Sequence, residues 1–358
     1  MYNNVPKEGM FMELNSSVIP HYTCKEIPVS ELKKEVSINE SYLSEKPTWY
    51  YVDNKLVYFK KRSDYRLFTE QFFSMFANEI VGLDTVIYKV ANIRKVKCTS
   101  ELEKKGYTGL ISENFQDKSK YNYYLLSELE NPSISSLVGY GDYCLSNLLE
   151  FFNNVLDDKS LEDVKSFLLK LFIADAFTLQ MDRNHHNIGF KTPKIDGIDY
   201  SKRLRPEIIS NVCNINENIV LVNGIYKLKN FSPTPVYDSE RIFGVDHRNV
   251  FLHKENDVWT PIFPYSSDLM FRNQAEAKEA QDSLYDGLDP NLMEVFMNYE
   301  SDVRDLIDRL ANGDEYREIL ERFEQSNSQI LLHQSTIEYF EKILSERRKV
   351  FQKVLKYS

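Results

Sequence analysis

The pattern of hydrophobic and polar residues becomes regular near residue 49, where it predicts a β-hairpin followed by a helix. Trp49–Val52 and Lys55–Lys60 are rich in the aromatic and β-branched residues that favour strands. The Asp53-Asn54 dipeptide between them tolerates the left-handed backbone of a tight turn. In Tyr65–Val81, apolar side chains recur at the spacing of an amphipathic helix, and Gly82 provides its end.

Two further strands are predicted before the pattern changes. Thr85–Cys98 and Tyr107–Phe115 read as extended segments joined by a charged turn. From Trp49 to Phe115 the predicted order is therefore strand, strand, helix, strand, strand. Residues 1–40 show no clean periodicity, although Glu26–Val36 has the composition of a short helix.

From about Leu137 the pattern favours longer helices, so the chain as a whole is predicted to be α+β. The broad apolar face of Leu161–Met181 indicates a central, buried helix. The sequence thus predicts an N-terminal antiparallel sheet with one helix, followed by a mainly helical region. The elements predicted after residue 137 are helices at Tyr143–Val155, Leu161–Met181, Ala275–Ser283, from Asp289-Pro290 and at Thr336–Lys356, strands at Ile188–Lys191 and Ile219–Leu228, and an irregular insertion at 192–217.

Composition excludes several classes of protein. With 358 residues, 42% hydrophobic and 27% charged, the chain can bury a core and is long enough for two domains or lobes. The formal net charge of −10 argues against a surface that binds nucleic acid or anionic membranes, because such surfaces need an excess of Lys and Arg. The most apolar segment, Phe167–Leu179, is interrupted by Lys170 and Asp175, so no membrane-spanning helix is expected.

The N-terminus and the cysteines indicate a cytoplasmic protein. The first residues lack a basic patch followed by an apolar run, so they do not resemble a secretory signal, although export without such a signal stays open. The cysteines are widely spaced and too few to crosslink a chain of this length, so we expect reduced thiols. These cysteines are Cys24, Cys98, Cys144 and Cys213.

The residues with the clearest chemistry lie in the loop between the buried helix and the next strand. Asp182 is followed five residues later by Asn187, and Asp238 follows a later strand. Phosphoryl transfer requires a carboxylate that accepts the proton of the attacking hydroxyl, and oxygen ligands for Mg²⁺. The three residues can supply these groups. A zinc site at His185-His186 is disfavoured, because adjacent side chains point apart and no ligand spacing supports it.

The run DRNHHNIGF, preceded by LLKLFIADAFTLQ and followed later by PTPVYD, resembles the catalytic loop and metal-binding segment of HipA-like serine/threonine kinases. More distantly, it is similar to the loop of phosphatidylinositol kinases. The resemblance implies that Asp182 orients the substrate hydroxyl, and that Asn187 and Asp238 hold Mg²⁺. It also implies a two-lobed, protein-kinase-like fold with ATP as the phosphoryl donor and a protein as the substrate.

The resemblance extends into the N-terminal half. The strand KLVYFK looks like the one that carries the ATP-binding lysine, which would be Lys60, with Lys61 as the alternative. The helix TEQFFSMFA looks like the one that carries the paired glutamate. That glutamate would be Glu70, and Glu79 is the alternative partner.

The segment GLISENF is similar to the hinge at which the family holds adenine through backbone groups, here around Glu113 and Phe115. The resemblance therefore implies a nucleotide-binding lobe over residues 1–115. Residues 116–358 would form a helical lobe with the catalytic loop and the metal-binding segment.

The chain departs from the family pattern in four places. The segment before the hairpin, 38–47, contains no glycine-rich phosphate loop, and His186 stands where the family usually has Lys. The interval from Asn187 to Asp238 is long, and the family's N-terminal subdomain is shortened or missing. An antitoxin-like partner is therefore not indicated.

Two alternative functions stay open. The missing glycine loop and His186 are also consistent with a nucleotide-binding pseudokinase that acts as an interaction module. The likeness to phosphatidylinositol kinases leaves a lipid or small-molecule kinase. The acidic chain and the mixed charges of the last helix, Glu338–Lys356, argue against membrane docking.

Overall fold

The computed structural model of the chain describes the central and C-terminal elements and parts of the N-terminal region. The described residues are 19–27, 31–32, 48–61, 66–95, 106–126, 129, 145–180, 183, 187–194, 219–239, 242–243, 252–255, 258–261, 290–327 and 334–357. The predicted helix at Ala275–Ser283, the insertion after residue 194 and the segment 38–47 lie outside them.

The N-terminal sheet closes into a barrel. Its strands are β1 (His21–Glu26), β2 (Thr48–Val52), β3 (Lys55–Lys61), β4 (Lys89–Lys95) and β5 (Tyr107–Glu113). Around the barrel the order is β1-β2-β3-β5-β4. Neighbouring strands run antiparallel except β1 and β4, which are parallel. Closure of this kind leaves no exposed strand edge.

Alternation along the strands separates two apolar layers. One set of side chains fills the barrel: Tyr50, Val52, Val57, Phe59, Ala91, Ile93 and Ile111. Because successive residues of a strand point to opposite faces, Tyr58 and Lys60 of β3 face outward. The outward face of the barrel is therefore where polar chemistry can meet the rest of the chain.

The predicted hairpin and the helix after the hairpin are confirmed. Asp53 and Asn54 adopt left-handed φ values of 49° and 63°, as a two-residue hairpin turn requires. Helix α1 (Arg66–Phe76) continues into a π-helical turn, Ala77–Val81, and ends at Gly82, whose φ is 74°. The wider π turn lets the segment after the helix return to the barrel.

The chain between the barrel and the C-terminal helices forms short sheets around one long helix. The elements are β6 (Tyr121–Leu125), α2 (Leu145–Val155), α3 (Asp158–Thr178), β7 (Gly189–Pro193), β8 (Ile219–Val222), β9 (Ile225–Leu228), β10 (Ser232–Pro233), β11 (Leu252–Glu255) and β12 (Val258–Pro261). Strands β10, β7 and β6 make one antiparallel sheet. The Asp157 side chain accepts a hydrogen bond from the Ser160 amide and caps α3.

The remaining described residues are helical: α4 (Pro290–Asn312), α5 (Glu315–Asn327) and α6 (Gln334–Val354). These helices share one continuous hydrophobic core with α1 and α3. The predicted fold class is therefore confirmed, because a mainly antiparallel sheet with one helix precedes a mainly helical region. No helix in the described part of the chain is long and apolar enough to cross a membrane.

One sequence-based prediction of an element needs correction. Ile219–Leu228 is a hairpin and not one strand, because Asn223 and Gly224 both take left-handed φ values and turn the chain. Of the expected helix at Glu26–Val36, Glu26 belongs to β1, Glu31 and Leu32 are helical, and most other residues lie outside the described ones. The elements not predicted from the sequence are β1, β6, β10, β11, β12 and α5.

We predict that Gly109→Ala destabilises the barrel. A Cβ at this position of β5 would lie 2.2 Å from the Lys60 carbonyl oxygen and 2.7 Å from the Phe59 ring. Overpacking of this kind should lower the free energy of unfolding by about 3 kcal/mol.

The matched control for this change is Gly224→Ala. The space around Gly224 is open, so only its positive φ matters and the loss should be about 1 kcal/mol. Urea unfolding of both variants measures the difference, and equal losses would contradict the steric explanation.

Candidate active site

Lys60 joins two carboxylates from distant parts of the chain. Its Nζ donates to Glu70 Oε1 at 2.7 Å and to Asp238 Oδ1 at 2.5 Å. The side chains of Lys60, Glu70 and Asp238 are 12%, 0% and 38% exposed. One ammonium group thus lies between a buried carboxylate and one that is open to solvent.

The two alternative residues lie elsewhere. Lys61 is exposed, as expected for the next residue of a strand, and its Nζ stands 4.2 Å from the centre of the Tyr107 ring. Glu79 is exposed on the π turn and forms an ion pair with Arg322 of α5. The structure therefore brings Lys60 and Glu70 together, and not Lys61 or Glu79.

Asp238 is anchored to the segment that follows α1. The Val86 amide donates to the Val236 carbonyl at 2.9 Å, and the Val236 amide donates to the Asp84 carbonyl at 2.8 Å. Asp238 itself has a left-handed φ of 55°, uncommon for a residue with a side chain. The backbone thus turns sharply where its carboxylate meets Lys60.

Arg183, the residue after Asp182, bonds both neighbours of Asp238. Its Nε and Nη2 donate to the Asp175 carboxylate at 2.9 and 3.0 Å. Its Nη1 donates to the Tyr237 carbonyl at 3.1 Å, and Nη2 also reaches Ser239 Oγ at 2.8 Å. An arginine is suited to linking these groups, because its planar guanidinium can donate to three acceptors in a defined geometry.

The buried pair of Arg183 and Asp175 is electrostatically coupled. Burial raises the pKa of the Asp175 carboxyl, and the charge and hydrogen bonds of Arg183 oppose that shift. Burial disfavours the Arg183 cation, but Asp175 outweighs it and raises the pKa of the guanidinium. Each group therefore depends on the other to compensate for its burial.

A buried phenol completes the electrostatic surroundings of Lys60. Burial raises the pKa of Tyr88 well above its ordinary value, the Glu70 charge adds to that shift, and Lys60 opposes it. Tyr88 precedes β4, and its carbonyl is 3.5 Å from Gln71 Nε2 of α1. The phenol is therefore neutral at physiological pH.

Asn187 lies in a segment that is fixed to the neighbours of Asp238. It is 8% exposed. The following residues are held by hydrogen bonds from the Leu126 amide to the Ile188 carbonyl at 2.8 Å and from the Thr234 amide to the Gly189 carbonyl at 2.9 Å. Asp182 and His186 lie outside the described residues.

The expected hinge has a backbone suited to edge-on hydrogen bonding. The Asn114 amide donates to the Leu56 carbonyl at 3.0 Å. Alternation along the antiparallel ladder then turns the amide and carbonyl of Glu113 to the side of β4. Strand β4 begins at Lys89, the partner of Ile111, so it does not extend far enough to pair with Glu113. The Glu113 side chain is exposed and bonds Lys55, which lowers its pKa.

Phe115, at the end of the expected hinge, packs against the Asp238 segment. Its ring stacks on Tyr237 with centroids 6.1 Å apart and meets the edge of Tyr123 at 6.3 Å. The Tyr123 hydroxyl accepts from the Asp117 amide at 2.6 Å and so fixes the chain after Phe115. The hinge and the Asp238 segment are therefore in direct contact.

The donor groups at this site fit Mg²⁺. Carboxylate and amide oxygens are its preferred protein ligands, and in phosphotransferases one or two carboxylates combine with substrate phosphates. Asp238 provides a solvent-accessible carboxylate. Asn187 lies in the segment that bonds Thr234, and Thr234 is four residues before Asp238. Among the described residues, no three His, Cys, Asp or Glu side chains converge on one point.

No family model and no curated protein matches this sequence. Among solved structures, the chain is similar to the Helicobacter pylori proinflammatory kinase CtkA, with 14% identity and a TM-score of 0.47, over 95% of this chain and 100% of that one. It is also similar to a Shewanella oneidensis MR-1 toxin–antitoxin complex of HipA, HipB and operator DNA, with 12% identity and a TM-score of 0.39, over 98% and 75% of the chains.

The sequence analysis missed Arg183 and Asp175. The signal for Asp175 was present, because it is a carboxylate within the most apolar segment of the chain, where an acidic residue needs a partner. Arg183 follows Asp182 directly in the same loop. The two residues are eight positions apart, and α3 ends between them. Only the folded chain therefore shows that they form a pair.

We predict that Arg183→Met destabilises the protein through the carboxylate it leaves behind. Removing one member of a buried ion pair should lower the free energy of unfolding by about 3–5 kcal/mol. The double variant Arg183→Met/Asp175→Leu should regain most of that loss, because no uncompensated charge stays buried. Urea unfolding measures both variants, and additive losses would show that the pairing is not the cause.

Proposed function

We propose that this protein is an ATP-dependent kinase that transfers the γ-phosphoryl group to a serine or threonine hydroxyl of a protein substrate. The observation that carries the proposal is the position of Lys60 Nζ, 2.7 Å from Glu70 Oε1 and 2.5 Å from Asp238 Oδ1. These residues belong to the strand, the helix and the later segment that the resemblance to HipA-like kinases identified.

The roles of the side chains follow from their charges and exposure. Glu70 is buried and keeps the Lys60 ammonium at the barrel surface. When the phosphates of ATP bind beside Lys60, their oxygens can replace Asp238 as its second partner. Asp238 is then released from the ammonium and is available as a ligand for the divalent cation.

The transfer step requires a base and a fixed nucleophile. The substrate hydroxyl oxygen attacks the γ-phosphorus, the bond to the bridging oxygen of ADP breaks, and Asp182 takes the hydroxyl proton. Arg183 keeps the loop that carries Asp182 against Tyr237 and Ser239. Mg²⁺, held by Asn187 and Asp238, would supply charge neutralisation for the β- and γ-phosphates.

The hinge supplies a site for the base of the nucleotide. The Glu113 amide and carbonyl face away from β3, on the side where β4 has not yet begun. Backbone groups of this kind can bind the edge of adenine whatever the side chains are. Recognition of the base therefore leaves little trace in the sequence.

We propose no binding partner for the kinase other than its protein substrate. The net charge of −10 supports neither direct nucleic-acid binding nor docking to anionic lipid, and a cytoplasmic location is consistent with the composition.

The first experiment is incubation with Mg-ATP followed by intact mass measurement and peptide mapping. Mg-ATP binding without phosphate transfer would instead support a pseudokinase, and transfer to lipid in micelles would support a lipid kinase.

We predict that Asp238→Asn abolishes phosphoryl transfer and leaves the fold intact. The side chain is 38% exposed and outside the apolar core, so the loss of charge should change the melting temperature little. Transfer should fall by at least about 100-fold, because the cation loses a charged ligand. Radiolabelled phosphate transfer measures the effect, and normal activity of a purified, folded variant would end this mechanism.

We predict different effects for the two glutamates that are candidates for pairing with Lys60. Glu70→Gln removes the charge that fixes Lys60 and should lower the rate of transfer by about 10–100-fold. Glu79→Gln, a change of the same kind after the same helix, removes only an exposed ion pair and should leave the rate within about twofold. Steady-state kinetics compare the two, and equal losses would contradict the assignment.

A further inference from the structure

The helix that carries Glu70 has a second face, and this face is covered by the C-terminal helices. Phe68 lies two residues before Glu70 and Phe72 lies two residues after it. Two residues correspond to a rotation of about 200° around the helix axis, so both rings lie on the side opposite Glu70. Both rings are fully buried. Glu70 therefore points to Lys60 on one side of α1, while the phenylalanines face α5 and α6 on the other.

Five rings make this contact, and we call them the ring cluster: Phe68, Phe72, Phe243, Phe323 and Phe340. Phe72 meets Phe323 of α5 at 5.6 Å, edge to face, and Phe340 of α6 at 6.2 Å. All five are 0% exposed. Aromatic pairs in these arrangements attract beyond the burial of their area and fix the rings relative to one another.

Phe243 brings the Asp238 segment into the same cluster. It lies five residues after Asp238, and its ring stacks on Phe340 at 4.1 Å and contacts Phe72 at 5.3 Å. Its amide donates to the Thr178 carbonyl at 2.7 Å, and its carbonyl accepts from the Tyr339 hydroxyl at 3.0 Å. Helix α6 thus holds the chain on both sides of Lys60: the Glu70 helix and the segment of Asp238.

Helix α6 also reaches the end of α3, from which the Arg183 loop departs. Arg347 is fully buried, and its Nε donates to the Ala176 carbonyl at 2.6 Å. A buried guanidinium that bonds a backbone carbonyl fixes the relative position of the two helices. Three elements that meet at the candidate site are therefore in contact with one C-terminal helix.

We propose that α5 and α6 act as a built-in clamp that positions α1, so that the Lys60–Glu70 pair is formed by the resting chain without a separate activating partner. The assigned residues are Phe323 and Phe340, which act on the site through Phe72 and Phe243. They are positioning residues and touch neither nucleotide nor substrate. The catalytic consequence rests on the proposed kinase function, whereas the structural consequence does not.

The clamp is tested with a pair of leucine variants in the same helix. Phe340→Leu keeps an apolar side chain but loses the ring contacts to Phe72 and Phe243. Phe351→Leu is the matched control, since Phe351 is equally buried but packs on Phe177 of α3 at 5.2 Å. If Phe340→Leu does not fold, Phe323→Leu replaces it.

The first measurement is amide hydrogen exchange of α1, Arg66–Phe76, in the full-length protein. Exchange should be several-fold faster in Phe340→Leu than in Phe351→Leu, because Phe340 contacts Phe72 in the middle of α1 directly, whereas Phe351 packs on Phe177, which stacks on Phe76 at the end of the helix. Equal exchange in the two variants would overturn the clamp. This measurement is valid even if the wild-type protein transfers no phosphate, an outcome that would refute the proposed function alone.

The second measurement separates positioning from general destabilisation. Phe340→Leu should lower the rate of transfer by about tenfold in the wild-type background. In the Glu70→Gln background it should lower the remaining rate by less than about twofold, because the clamp then has no glutamate to position. The same fractional loss in both backgrounds would mean that Phe340 is only structural, and the proposal would be wrong.

Discussion

The candidate site depends on the cost of burying the Arg183 guanidinium. A cation without solvent must be met by a carboxylate and by oriented dipoles, and Asp175, the Tyr237 carbonyl and Ser239 are the groups that meet it. Asp175 belongs to α3, whereas Tyr237 and Ser239 lie on either side of Asp238. Satisfying one side chain therefore fixes the end of α3, the loop of Asp182 and the backbone on both sides of Asp238 at once.

The Lys60 ammonium also needs compensating carboxylates, although it lies closer to solvent than Arg183 does. It draws together a buried glutamate of the N-terminal helix and a partly exposed aspartate that lies 178 positions after Lys60. The two carboxylates differ in exposure, because the Glu70 side chain is shielded from water and that of Asp238 is partly open to it. Under the proposed function, this difference lets Asp238 leave Lys60 when another anion arrives while Glu70 stays in place.

Packing behind α1 gives this charge arrangement its rigidity. The rings of Phe72, Phe243 and Phe340 meet on the side of the helix opposite Glu70, so apolar burial and ion pairing act on two faces of the same element. The barrel covers α1 from another side, because Val90 of β4 and Leu110 of β5 belong to the same core cluster as Phe72 and Phe340. The C-terminal helices thus belong to the architecture of the site, far as they are in sequence.

Local patterns in the sequence determined the hairpin at Asp53-Asn54, α1, the long helix before the Asp182 loop and the α+β class, because turn chemistry and apolar periodicity act within a few residues. The resemblance to HipA-like kinases identified Lys60 and Glu70 as candidates, and Asp238 was a candidate from its place after a strand. The closure of the barrel by β1, the pairing of Lys60 with Glu70 and not Glu79, the Arg183–Asp175 pair and the ring cluster were decided only by the tertiary structure. Each of these depends on a contact between different elements, and its energy exists only when the folded core excludes water from both partners.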